Sequence, residues 1–231
     1  MSLFKKSEAI SIDGPAGSGK STVSRRVAEK LGFAYIDTGA MYRALTLKVM
    51  NEGISFDDEE KITELSHDLD LKLIPTTEGK CTIRVILDGK DVSEAIRELG
   101  VTRNVKHVAR IASVRKNMVK LQRRMVSNLD GAVMEGRDIG TVVLPGAKYK
   151  FYVDASFDER VIRRLKELAA KGKVVTREEV AEDLKQRDHT DKTRKVGPLK
   201  KADDAIFVDT TDMTIDEVVD EVVGYMRNSL R

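Results

Sequence analysis

Eight consecutive residues, Gly14-Pro15-Ala16-Gly17-Ser18-Gly19-Lys20-Ser21, follow the pattern G-x-x-x-x-G-K-[ST] in full. Glycines at this spacing let successive backbone N–H groups turn toward one centre, which suits a chain of phosphates. A helix starting just after the loop adds the positive end of its dipole. In that arrangement Lys20 reaches the β- and γ-phosphates and the Ser21 hydroxyl serves Mg²⁺, with Thr22 next in line. The flanks agree: the apolar run Glu8 to Asp13 reads as a buried strand, and Val23, Val27, Ala28 and Leu31 recur at helical spacing. The pattern is that of a nucleoside triphosphate site. Asp13 and Asp37, at the ends of two predicted strands, are carboxylates able to orient Mg²⁺ or its waters. For Asp37, capping of the following helix is the other reading.

A triphosphate loop does not name the acceptor. The chain has no N-K-x-D sequence, the mark of guanine binding. It offers arginines in segments that read as loops at strand ends, namely Arg43, Arg137, Arg187 and Arg194. Guanidinium groups bind phosphate oxygens in pairs, so this set suits a small acceptor that is itself phosphorylated.

The elements that position these residues follow an α/β order. Strand, loop, helix, strand (33–37) and helix (40–50) open the chain, and strands at 132–134, 150–154 and 205–209 return later. Between them, 71–74 and 81–87 form a predicted antiparallel hairpin turning at 76–79, and Asp88-Gly89 marks another reversal. Val114, Met118, Leu121 and Met125 form one helical stripe, and Phe157, Val161, Leu165 and Leu168 another. Thr176 and Thr214 each start a helix as capping boxes; the first breaks down near Gln186, and the second turns Ile215, Val218, Val222 and Met226 inward.

Three motifs beyond the loop give the sequence a family likeness. Asp37-Thr38-Gly39-Ala40-Met41-Tyr42-Arg43, Glu135-Gly136-Arg137-Asp138-Ile139-Gly140-Thr141, and Arg187-Asp188-His189-Thr190-Asp191-Lys192-Thr193-Arg194 resemble, in order, those of bacterial cytidylate (CMP) kinases. The resemblance implies ATP and CMP or dCMP as substrates, with Mg²⁺. It implies Arg43, Arg137 and Arg194 on the CMP phosphate, Asp138 on the exocyclic amine of cytosine, and Arg115 on its acceptor atoms. Arg187 and Asp191 are implied at the sugar. Thr38 and Tyr42 line the same pocket by resemblance, or serve as a helix cap and a core-edge tyrosine. Arg160 and Arg164, four apart on one helix face, belong either to a lid reaching the triphosphate or to a solvated salt-bridging face. At Lys106 the chain departs from the family's small hydroxyl near the base, and Thr102 is the nearby substitute.

The expected fold is a P-loop NTPase core, a parallel β-sheet flanked by helices, built from residues 1–50, 130–155 and 202–231. It carries an inserted NMP-binding lobe with antiparallel strands at 51–129 and a helical lid at 156–201. The expected protein is a cytoplasmic monomer. Two rival functions stay open, a kinase for another nucleoside monophosphate such as UMP and a non-catalytic ATP-binding module. Composition removes others. A net charge of +3 is too small for a general nucleic-acid coat protein. The acid-free stretch between Glu98 and Asp130 is basic but has no aromatic residue on which a base could stack. One cysteine, Cys81, excludes an internal disulfide or a cysteine zinc site. No window is apolar for long enough to span a membrane, and Met1 to Ala9 lacks the apolar core of a signal peptide.

Overall fold

The computed structural model describes residues 8–75, 83–170 and 172–229. Cys81 and the predicted turn at 76–79 lie outside them. In chain order the elements are β1 (Glu8–Asp13), α1 (Lys20–Leu31), β2 (Ala34–Asp37), α2 (Thr38–Asn51), α3 (Glu59–His67), β3 (Leu71–Pro75), β4 (Ile83–Leu87) and β5 (Lys90–Asp91). Then follow a 3₁₀ turn (Ala95–Arg97), α4 (Leu99–Ala109), α5 (Ala112–Ser127), β6 (Gly131–Gly136), a π-helical turn (Ile139–Val143), β7 (Tyr149–Asp154), α6 (Phe157–Ala170), α7 (Arg177–Thr193), β8 (Ile206–Asp209) and α8 (Ile215–Asn228). They form two compact units, Met1–Tyr35 with Leu129–Arg231, and Ile36–Asn128.

The larger sheet has the order β2-β6-β1-β7-β8, and its β6–β1, β1–β7 and β7–β8 ladders are parallel. Helices cover both faces of such a sheet, which is why β1, β6 and β7 read as nearly unbroken apolar runs. Ile10 and Ile12 of β1, Val133 of β6 and Phe151 and Val153 of β7 pack with Val23 and Val27 of α1 and Val218, Val222 and Met226 of α8. Each such aliphatic side chain contributes about 1.5–3 kcal/mol by leaving water. A second cluster, Val161 and Leu168 of α6 with Val180 and Leu184 of α7, closes over Ala16 of the glycine-rich loop.

In the second unit β3, β4 and β5 form an antiparallel sheet, as the hairpin pattern predicts. The reversal at Asp88-Gly89 has positive φ at both residues (49° and 77°), the backbone of a two-residue hairpin turn. Met41, Leu45 and Val49 of α2, Ile62 of α3, Val101 and Val108 of α4, and Val114 and Met118 of α5 are buried.

Several expectations are revised. Residues 36–50, grouped by pattern with the loop core, belong to the second unit, because α2 buries residues on most of its sides against neighbours there. Helices α3 and α4 were not legible: α3 buries only Ile62 and Ser66, too little to show a period. Helix α7 does not break at Gln186 but runs to Thr193, with the Thr190 and Thr193 hydroxyls bonding back to carbonyls one turn earlier. Ile215 is 46% exposed, since the first turn of α8 projects beyond the core that holds Val218 and Val222. On α5 the stripe is buried at Val114 and Met118, but Leu121 and Met125 are only half-buried, while Arg115 and Gln122 lie inside.

Candidate active site

The glycine-rich loop joins β1 to α1 within the first unit. A Cβ at Gly14 would sit 2.0 Å from the Val153 carbonyl oxygen, so no other residue lets the loop lie this close to β7. Gly19, the cap of α1, has φ of 84°, a left-handed backbone that glycine adopts without penalty. Where α7 and α8 begin with capping boxes and acidic first turns, α1 begins with Gly19 and has no acidic residue in its first turn. Its positive end is therefore left for an anion. Lys20 is 7% exposed and donates to the Pro15 carbonyl at 3.1 Å. Burial, reinforced by Arg137 and opposed by Glu135, lowers its ammonium pKa to about 7.

The Ser21 hydroxyl donates to Glu135 Oε2 at 2.8 Å, and the Tyr35 hydroxyl donates to Glu135 Oε1 at 2.5 Å. Glu135 is buried at the end of β6, beside β1. A buried carboxylate that accepts the Ser21 hydrogen bond leaves the serine oxygen's lone pairs for a cation, so this pair fits Mg²⁺. Asp37 and Asp13, the carboxylates singled out by position, each have protein partners of their own. Asp37 caps α2 by accepting from Ala40 N at 2.8 Å. Asp13 accepts from Ile139 N and Gly140 N, both at 2.8 Å, and so ties the end of β1 to the turn that follows Arg137 and Asp138. Burial raises the Asp13 carboxyl to about 6 even though these two amides oppose the shift.

Arg137, Asp138, Arg187, Asp191 and Arg194 lie in the same unit. Arg137 Nε donates to Asp191 Oδ2 at 2.7 Å, and Arg194 Nη1 lies 3.5 Å from Asp191 Oδ1. Arg194 Nη2 also lies 3.6 Å from Asp138 Oδ1. Burial by itself would raise the Asp191 carboxyl, but Arg137, Arg187 and Arg194 outweigh it and hold the group below the usual carboxylate range. One carboxylate thus gathers guanidinium groups at the C-terminal end of the strands, where open parallel sheets bind ligands. Of the four arginines read as loop residues, only Arg137 is in an irregular segment. Arg43 lies inside α2, Arg187 inside α7, and Arg194 caps the end of α7. Helix α7 simply extends further than its apolar period, while Arg43 falls inside the helix already read at 40–50.

Thr38, Tyr42, Arg43 and Arg115 belong to the second unit. Arg43 Nη2 donates to Asp37 Oδ2 at 3.0 Å. Arg115, 2% exposed, lies over the Tyr42 ring at 5.4 Å and donates to the Ala109 carbonyl. Thr102 and Lys106 sit one turn apart on α4, the first half-buried and the second exposed. Arg160 and Arg164 do not share a role. Arg160 turns inward to Ala16 O and Asp188, whereas Arg164 pairs with Glu167 on the surface. Sequence reasoning gave Glu135, Asp188, Arg163 and Thr210 no part in the site. For Glu135 a signal existed, an acidic residue closing the apolar run Ala132-Val133-Met134. Among the described residues no helix is long and apolar enough to cross a membrane.

Comparison with known proteins gives the same picture. A sequence model described as cytidylate kinase matches residues 10–228. The chain is 50% identical over 222 residues to the cytidylate kinase of Caldanaerobacter subterraneus subsp. tengcongensis, covering 96% of each chain. It is 46% identical over 228 residues to that of Bacillus subtilis, covering 99% of this chain and 100% of the other. Among solved structures, a gluconokinase from Sinorhizobium meliloti superposes with a TM-score of 0.50 at 15% identity, over 98% of this chain and 95% of the other, a likeness of fold alone. A phosphate loop, a carboxylate-gathered set of arginines and near full-length identity converge: the chain belongs to the cytidylate kinase family.

Proposed function

We propose that the chain carries out the cytidylate kinase reaction, γ-phosphoryl transfer from ATP to CMP or dCMP, by in-line displacement between a cradle of backbone amides and a clamp of arginines. The loop Gly14–Ser21 with Thr22 holds the ATP phosphates, and Lys20 follows the charge that develops between donor and acceptor. Ser21, with Glu135 behind it, would hold Mg²⁺, which would supply charge to offset that of the triphosphate. Arg137 and Arg194 bind the acceptor phosphate, and Arg43 carries the same assignment from the family pattern. Thr38, Tyr42 and Arg115 serve the nucleoside, and Arg187 and Asp191 the sugar. Arg160 serves ATP. The acceptor oxygen is already ionised at neutral pH, so no general base is needed; catalysis is positioning and charge neutralisation. The observation that most supports this reading is Asp191 gathering Arg137 and Arg194 in the unit that also carries the loop.

Asp138 gives the reading a sharp test. A carboxylate complements the N4 amine of cytosine and opposes the O4 acceptor of uracil. ADP release measured side by side with CMP, dCMP, UMP, AMP and GMP should show the two cytidine nucleotides far ahead. In Asp138→Ala the CMP-to-UMP ratio of kcat/KM should shrink about ten- to a hundredfold, the worth of about 1–3 kcal/mol of base discrimination. An unchanged ratio would move the base reader elsewhere.

Asp13 supplies a pH dependence. Because the fold raises this carboxyl to about 6, well above its unfolded value, the folded protein binds that proton more tightly than the unfolded chain does. The contribution of Asp13 to stability therefore improves as pH falls from about 6 toward 4. Yet protonation costs the Ile139 and Gly140 amides part of their acceptor and loosens the turn behind Asp138. Turnover of CMP should fall below about pH 6 with no loss of thermal stability from this group. In Asp13→Asn, which leaves one amide without an acceptor, activity should be reduced at every pH and this acid limb should vanish. A profile with the limb intact would assign it to another group.

A further inference from the structure

The outer side of the phosphate loop is held by helices α6 and α7, and one buried carboxylate there has no part in the mechanism above. Arg160 Nη1 donates to the Ala16 carbonyl at 3.0 Å, and its Nη2 donates to Asp188 Oδ2 at 2.7 Å. Both side chains are largely buried, Arg160 at 6% and Asp188 at 8% exposure. The other Asp188 oxygen, Oδ1, is buried and makes no hydrogen bond, so the carboxylate is committed to Arg160. Two residues further along the loop, the Ser18 carbonyl accepts from Arg163 Nη1 at 3.3 Å and from the Thr210 hydroxyl at 3.2 Å.

Peptide planarity gives these contacts a consequence. The C=O of one residue and the N–H of the next point in opposite directions. A carbonyl of Ala16 drawn outward to Arg160 turns Gly17 N–H inward, and a carbonyl of Ser18 drawn outward does the same for Gly19 N–H. The cradle needs inward amides. We propose that Asp188 is a positioning residue for the triphosphate loop, acting through Arg160 to turn the Ala16–Gly17 peptide so that its N–H faces the phosphates. The proposal deepens the ATP role given to Arg160 above and rests on that reading of the loop. It also divides the labour on α7. Asp188 and Asp191 are one turn apart; Asp188 serves the donor loop through Arg160, and Asp191 serves Arg137 and Arg194 on the acceptor side.

The alternative is that Arg160 touches the triphosphate itself, with Asp188 a competing partner. The two ideas differ in sign. If Arg160 acts through the loop, Asp188→Ala weakens ATP binding; if Arg160 binds phosphate directly, removing its competitor leaves ATP binding unchanged or tightens it. The experiment titrates the full-length protein with ATP alone and with CMP alone, by calorimetry, for the wild type, Asp188→Ala, Asp188→Asn and Arg160→Lys. Asp188→Ala should weaken ATP about tenfold or more, the worth of one charge-assisted hydrogen bond, while CMP binding stays within about twofold. Asp188→Asn keeps an acceptor oxygen for Arg160 and should recover part of the loss. Arg160→Lys has no fork to serve Ala16 and Asp188 together and should fall between. Unchanged or tighter ATP binding in Asp188→Ala overturns the proposal, as does equal weakening of ATP and CMP, the sign of a merely structural role. Should Asp188→Ala fail to fold, Asp188→Asn and Arg160→Lys decide by the same split between the two ligands. A wild-type protein that fails to bind ATP at all would instead overturn the reading of the loop.

Discussion

Lys20→Ala leaves a protein that binds CMP but phosphorylates it about a thousandfold more slowly or worse. The magnitude follows from where this ammonium sits. It is nearly closed off from water and bonded to Pro15 O of its own loop, so its cost of desolvation is met on folding rather than on binding ATP. In such a site a positive charge, held on the amine once an anion lies beside it, is worth far more to a migrating phosphoryl group than it would be in water. Alanine cannot reproduce it, and Arg137, whose plane is fixed by Asp191, has its remaining nitrogen assigned to the acceptor phosphate in the proposed reaction. The loop backbone loses its Pro15 contact with the amine but keeps its other anchors, because Ala16 and Ser18 are held from outside by Arg160, Arg163 and Thr210. Thermal stability should therefore change little, or rise slightly as a buried charge is removed. A coupled assay of ADP release, set beside a CMP titration, gives both halves of the result. Activity within a few fold of the wild type would remove Lys20 from the chemistry.

How far this site was readable from the sequence depends on what each residue answers to. Gly14, Gly19 and Lys20 answer to a local backbone requirement, the tight turn from strand to helix, and such requirements leave a fixed spacing. The strands β1, β6 and β7 answer to burial on both faces and show as apolar runs. Helices α3 and α4 answer to packing within their own unit; each buries only two residues, and a two-residue stripe is no pattern. Glu135, Asp188, Arg163 and Thr210 are the harder cases. Their partners are 28 to 192 positions away in the chain, at Ser21, Arg160 and Ser18. Apart from the place of Glu135 at the close of an apolar run, nothing near these residues foretells such a contact, because it exists only once parallel strands and their crossovers have assembled. For the same reason Arg160 and Arg164, on one face of the helix, differ in partners, the first buried against Ala16 O and Asp188 and the second half-buried beside Glu167.

Arg137→Ala should lower kcat/KM for CMP by about a hundred- to a thousandfold, and for UMP by the same factor. The parallel loss separates this residue from Asp138, whose replacement changes the ratio between the two bases. Arg137 Nε and Nη1 are occupied by Asp191 and the Gly136 carbonyl, which fixes the plane of the guanidinium and leaves Nη2 to meet phosphate without further ordering. Lysine in its place should recover little, since a single ammonium cannot keep Asp191 and bind a phosphate oxygen in the same geometry. The substitution also acts on its neighbours. Asp191 keeps Arg187 and Arg194 but loses its strongest partner, so its carboxyl should move back up toward the ordinary range. Lys20 loses a repelling charge, so its ammonium should rise from about 7. Because Asp191 retains two guanidinium neighbours, the fold should survive, and thermal unfolding should shift far less than the activity. If activity instead followed stability, falling only as far as the folded fraction falls, Arg137 would be a structural partner of Asp191 and not a phosphate ligand.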